Sequence, residues 1–403
     1  MSTARRRPDA VKELEELQQR VRQEPGEPQL TEEQFIALVR EDISKRRIAE
    51  ALDRGGLDAA LGAVGPDADR EVEQEVAKLL AAWRLAEPDQ WSRFENPVIR
   101  AKLAELCAGI EAAFVEQALP LRELPVVGTL TTGQAGATTQ KSSSGAPMIL
   151  IDNGFFKFAG SIAQVAVMSG IDVARTGGFS AATVQILSDL VATHLIAGSC
   201  VYTQARKLPV PVSQSIDEQV HSICTFTLSH EYAHLAVGHL DMHPAGAPPA
   251  GFDLHALEFE ADRIGFMTTT RIAKGSQAAV AAPFLFLAGL DVLNRAAAVL
   301  ANQRHDFEPA DRSTYPSPFQ RIFSLLRSIE SDKKILAELG PQVQNATQAF
   351  HRIINVWNVI MPVLHEGRGA LSELRDSQVA TLPEVRAFAA MRLLWNNVVS
   401  KSG

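Results

Sequence analysis

The chain has 403 residues, 46% apolar and 21% charged, which supplies a globular core and, at about 150 residues per domain, room for two or three domains. A disordered or collagen-like chain is excluded, and 39 basic against 47 acidic residues, a net charge of −8, argue against a chain-wide affinity for nucleic acid or anionic membrane. Three widely spaced cysteines, Cys107, Cys200 and Cys224, form no CxxC pair, so the sequence reads as that of a reducing cytosol without a disulfide framework.

The first 70 residues carry 27 charged side chains and read as charged helix rather than as a secretory signal. One helix is predicted from about Pro8 to Gln23. A second opens on the capping box of Thr31 and Gln34 and stops at Gly55 and Gly56, with Phe35, Ile36, Leu38, Val39, Ile43 and Ile48 as its apolar stripe. Further helices are expected at 67–86 and 97–119. Short strands are expected at 125–130 and 147–151, flanking a Gly/Ser/Thr-rich stretch, 130–147, that reads as a flexible loop. Lys141 and Ser142 suggest a phosphate-binding loop, but Gln140 stands where its second glycine must be. A sheet edge at Pro147–Ile151 could align an extended peptide by strand addition.

Beyond this point the pattern is helical, at 155–168, 180–196, 216–238, 256–273, 277–302, 318–339, 343–364 and 383–399. The longest apolar run, Ala278 to Leu290, is closed by Asp291 and is shorter than the ~18 to 20 residues of a membrane span. It reads as a buried core helix. No internal repeat is found.

Six of the ten histidines fall between His221 and His255, and among them His230, Glu231 and His234 form an HExxH pattern. Chance gives roughly 0.02 such matches in a chain of this composition. On a helix the two histidines share a face and can bind one metal ion, with Glu231 beside the open position, where it can take a proton from a bound water. A zinc site of this kind takes a third protein ligand. The metzincin arrangement is excluded, because Val237 and Leu240 stand where it needs glycine and histidine. Glu258, on the next predicted helix, can supply the ligand. Asp262, one turn along the same face, can accept a ring N–H from a ligand histidine and fix its tautomer. Glu260 lies about 200° round the helix from Glu258 and is the poorer ligand. His239, about 180° from His230 on a regular helix, reads as a buried structural histidine or a helix-end contact.

At these residues the chain resembles the gluzincin metallopeptidases. HEYAHLAVGH fits their HExxH followed five residues later by histidine, and LEFEADRIG fits their ExxAD pattern. The 24-residue gap from His234 to Glu258 resembles the Lit-type phage-exclusion peptidases most, and the ImmA/IrrE proteases distantly. The segment from Ser313 to Arg321 resembles the "STHP…R" segment of HtpX-like enzymes. There a histidine stabilises the transition state and an arginine braces the site; Tyr315 and Arg321 hold those positions here. The resemblance spans roughly residues 220–325.

The expected protein is mainly α (α+β), with a helical gluzincin-like core and a small β element. Residues 1–120 would form a charged helical module, 121–340 a zinc peptidase domain, and 341–403 C-terminal helices packed on it. The expected activity is zinc-dependent hydrolysis of peptide bonds in a protein or peptide substrate. His230, His234 and Glu258 would hold Zn²⁺, Glu231 and Tyr315 would act in catalysis, and Asp262 and Arg321 would support the ligands. The resemblance implies action on a host or phage protein in the cytoplasm. The N-terminal helices offer a surface for a protein partner; no nucleic acid or membrane partner is expected. Two alternatives stand beside this: a non-catalytic zinc-containing interaction module, which has no need of Glu231, and an ImmA/IrrE-like regulator protease, for which no helix-turn-helix stands out.

Overall fold

The computed structural model describes residues 3–21, 97–119, 121–201, 209–242, 254–301, 315–376 and 389–394, with individual residues between 36 and 95 and Thr203. The protein is mainly α with one small three-stranded sheet. It divides into two compact units, one comprising 1–131, 138–151 and 206–215, the other 132–137, 152–205 and 216–403.

In the first unit, helix α1 (Thr3–Val21) starts earlier than expected and runs through Pro8; Ala and Arg before the proline are strong helix formers. Its residues Ala10, Val11 and Leu14, one helical face, pack on Val126, Met148 and Leu150. Helix α2 (Pro97–Glu116) brings Ala101 to a cluster with Ile43, Val72 and Val76. The cap at Thr31–Gln34 and the stop at Gly55 and Gly56 lie outside the described residues.

The strands are β1 (Val126–Leu130), β2 (Ala137–Lys141) and β3 (Pro147–Asp152), in the order β1-β3-β2. Two expectations are corrected here. The Gly/Ser/Thr-rich stretch is not a flexible loop: the turn residues close a hairpin, in which Ser142 N donates to Ala146 O at 2.8 Å, and Thr138 to Lys141 pair as a strand, as β-branched residues favour. Pro147–Ile151 is not a sheet edge either. It is the central strand, its backbone groups already paired on both sides, so strand addition there has no free ladder to join.

The second unit is helical: α3 (Asn153–Thr176), α4 (Ala181–Ala197), α5 (Val210–Ala236, beginning in the first unit's last segment), α6 (His239–Met242), α7 (Leu254–Ile272), α8 (Gln277–Leu300), α9 (Pro318–Ser331) and α10 (Lys333–Asp376). Helix α8 is the core element. It packs on α3, α4, α7, α9 and α10, and the run Ala278 to Gly289 is buried throughout. By length and composition α3 and α8 could each cross a membrane; most of the α8 stretch is buried inside the unit.

Phe286 of α8 is edge-on to Phe155 and Phe158 of α3 and to Phe226 of α5, with ring centroids 5.9 to 6.1 Å apart. Such contacts add about 0.5 to 1.5 kcal/mol per pair to the apolar burial. They fix α5 to the core one turn before His230.

The helix expected at 318–339 ends instead at Ser331, because Asp332 leaves the helical conformation and its carboxylate accepts from the backbone N–H groups of Lys334 and Ile335. That caps α10, which continues through Pro341 and Pro362. Cys107, Cys200 and Cys224 are buried and form no disulfide.

Candidate metal centre

Four pieces of the second unit converge on one cluster. Helix α5 carries His230, Glu231 and His234; α6 carries His239; α7 carries Glu258, Glu260 and Asp262; α9 carries Arg321. The start of α9 is held by a capping box: Ser317 Oγ accepts from Gln320 N at 3.2 Å, and Gln320 Oε1 accepts from Ser317 N at 2.7 Å. Arg321 follows in the first turn, where α9 packs on α7.

Close approach of α5 and α7 depends on Gly265, the last member of the stripe Glu258, Asp262, Gly265. A Cβ there would stand 3.2 Å from the backbone N of His230, 3.3 Å from its Cα and 3.3 Å from Phe226. Any side chain at 265 would press on the backbone of the first histidine.

The Nε2 atoms of His230 and His234 face each other at 3.1 Å. Glu258 places Oε2 3.5 Å from His230 Nε2 and Oε1 3.6 Å from His234 Nε2. On a tetrahedron with metal–ligand bonds of about 2.05 Å, neighbouring ligand atoms lie about 3.35 Å apart. The three measured edges bracket that value, so His230, His234 and Glu258 form a group able to hold a metal ion.

The charges agree with this. Glu231, Glu258 and Asp262 are three carboxylates with little exposure, and they face one guanidinium, Arg321. A divalent cation brings the set to neutrality, which a buried cluster requires.

Each histidine is braced from behind. Asp262, 1% exposed, lies with Oδ1 3.0 Å from His230 Nδ1. Arg321 grips Asp262 with two bonds, Nε to Oδ2 at 2.8 Å and Nη2 to Oδ1 at 2.6 Å, and its Nη1 lies 3.3 Å from Glu258 Oε2. His234 Nδ1 lies 2.8 Å from His239 Nδ1, and His239 Nε2 3.3 Å from Glu260 Oε2.

The titration of the cluster follows from these contacts. Burial pushes His230 down, but hydrogen bonds to Asp262 and Glu258 outweigh it and raise the imidazole to about 9. Burial lowers His234 to about 3, helped by the neighbouring charge of His230. Glu258, pushed up by burial, is drawn down to about 2 by its bond to His230 and the charges of His230 and Arg321. Asp262 is held well below the carboxylate range against its own desolvation, by Arg321 and then His230. Arg321 is held protonated against burial by Asp262, Glu258 and Glu231. Desolvation also lowers His239.

Of the residues singled out in the sequence, the structure thus brings together His230, His234, Glu258, Asp262 and Arg321, with Glu231 buried beside them. Tyr315 is 60% exposed. His239 is buried at a helix start, as read from the sequence, and it also touches a ligand ring; Glu260, the poorer ligand, stands behind it; Gly265, not singled out in the sequence, sets the helix spacing. No protein-family model matches the chain, and no curated protein or solved structure matches it.

Proposed function

We propose that this chain is a zinc-dependent endopeptidase, with zinc held by His230 Nε2, His234 Nε2 and a carboxylate oxygen of Glu258. Two imidazoles and one carboxylate are a donor set that suits zinc and leaves a coordination position free for chemistry. Bound there, zinc would supply Lewis acidity, polarising a scissile carbonyl and acidifying a water molecule. The observation that carries the reading is the triangle of three donor atoms at tetrahedral spacing, with a buried carboxylate, Glu231, next in sequence to the first of them.

The protein's own groups then have distinct tasks. Glu231 takes the proton of the attacking water and returns it to the leaving amine. Asp262 accepts from His230 Nδ1–H and keeps Nε2 free for the metal; Arg321 holds both oxygens of Asp262, so the carboxylate cannot turn away. From the resemblance of the motifs, the substrate is a protein of a host cell or a phage, cleaved in the cytoplasm. A non-catalytic zinc module would need the same three ligands but has no need of a base at Glu231, next to the first of them.

Zinc content and peptide hydrolysis of the purified chain test this, wild type beside Glu231→Gln and His234→Ala. About one zinc per chain is expected in the wild type and in Glu231→Gln, and none in His234→Ala. Glu231→Gln should lower cleavage of a mixed peptide library by about 10² to 10⁴-fold. Equal cleavage by wild type and Glu231→Gln would remove the enzyme reading, and a wild type that takes up no zinc would remove the metal centre.

A further inference from the structure

His230 and His234 differ in what stands behind the ring. The Nδ1 of His230 meets a buried carboxylate, whereas the Nδ1 of His234 meets another imidazole nitrogen, His239 Nδ1, at 2.8 Å. Two ring nitrogens at that distance share one proton, and the far side of each ring decides which of them owns it. His234 turns Nε2 toward His230 Nε2 and Glu258 Oε1, at 3.1 and 3.6 Å. With a cation on that nitrogen, the ring's only proton sits on Nδ1. His239 then accepts on Nδ1, carries its own proton on Nε2, and donates it to Glu260 Oε2 at 3.3 Å. Two neutral rings and one carboxylate satisfy all these contacts in no other way.

We infer that His239 and Glu260 are a two-residue positioning arm for His234, fixing the tautomer and orientation of that ring and so setting the affinity of the centre for its metal. The inference rests on the metal-centre reading above. Local structure supports it. Helix α5 ends at Ala236, and Gly238, at φ 76°, reverses the chain so that His239 opens α6 directly behind the helix it has just left. Asp241 N closes this turn on Gly238 O at 2.9 Å. His239 is 2% exposed and Glu260 nearly half exposed, so the arm runs from the buried ligand to the surface. A contact that open contributes little to stability. Its effect falls instead on the ring that His239 holds, the kind of outer contact that tunes metal sites.

The test is zinc affinity of the full-length chain, by competition with a chromogenic chelator, for wild type, His239→Ala, Glu260→Ala and the double variant. His239→Ala should weaken binding by about 10 to 100-fold and Glu260→Ala by about tenfold. Because Glu260 acts only through His239, the double variant should match His239→Ala within about twofold. Ring-nitrogen shifts of zinc-loaded, isotope-labelled protein should show His239 protonated on Nε2. Additive losses, an unchanged affinity in Glu260→Ala, or a His239 ring protonated on Nδ1 overturns the arm while leaving the metal centre in place. A wild type that binds no zinc overturns both. Should His239→Ala not fold, Glu260→Ala decides alone, since its side chain bears no part of the core.

Discussion

Arg321 is the side chain on which the cluster leans most. Its guanidinium lies within bonding distance of both Asp262 and Glu258, and Asp262 is almost wholly buried. Methionine at 321 would fill similar space but leave that carboxylate with His230 alone. Breaking a buried pair from one side costs about 3 to 5 kcal/mol, so Arg321→Met should shift the urea midpoint of the chelator-treated chain by a corresponding amount. Arg321→Lys should recover only part of the loss, because an ammonium cannot take both oxygens of Asp262 in parallel. A loss below about 1 kcal/mol for Arg321→Met would mean that water reaches the carboxylate and the cluster is not sealed.

Among the helices, the decisive contact is that of α5 with α7, and Gly265 sets it. Gly265→Ala offers up to about 1 kcal/mol of helix propensity, but its Cβ would meet the backbone of His230 at 3.2 to 3.3 Å, and overpacking costs about 1 to 3 kcal/mol. A net loss near 1 kcal/mol in thermal unfolding is expected, together with weaker zinc binding, since Glu258 and Asp262 ride on the displaced helix. Unchanged stability and affinity would show that α7 slides freely. This contact also marks how far the sequence could be read. The grouping of His230, His234 and Glu258 was legible because helical periodicity alone puts His230 and His234 on one face and limits what Glu258 can do. His239 is buried at a helix end, as its position in the sequence suggests, but its contact with His234 was not legible, because Gly238 turns the chain after Ala236 and brings the ring back behind α5. Gly265 gave no warning, because a glycine inside a helical pattern registers only as a propensity cost. Strand β2 was hidden by its turn residues. The break at Asp332 was hidden because an N-cap inside an apolar pattern looks like one more polar position. Tyr315 rested on resemblance alone, and the structure leaves it exposed.

For the molecule as a whole, the opposed shifts of the cluster give stability a shape in pH. His230, raised from 6.5 to about 9, binds its proton more tightly in the folded chain, so its contribution is complete below about pH 6.5 and lost as pH rises through 9. His234, lowered from 6.5 to about 3, works in the other direction: below pH 6.5 the unfolded chain takes a proton the folded one refuses, and stability falls toward pH 3. Glu258, lowered from 4.5 to about 2, deepens that acid limb below about pH 4.5, and Asp262 acts with it. The metal-free protein should therefore be most stable near pH 6.5, with the urea midpoint declining on both sides. Zinc competes with the proton of His230, so loading at neutral pH releases that proton. Saturating zinc should then abolish the alkaline decline, because the metal occupies the ring across the window in which the proton would leave. An alkaline limb that keeps the same slope in the presence of zinc would show that His230 is not a ligand, whatever the metal content of the protein.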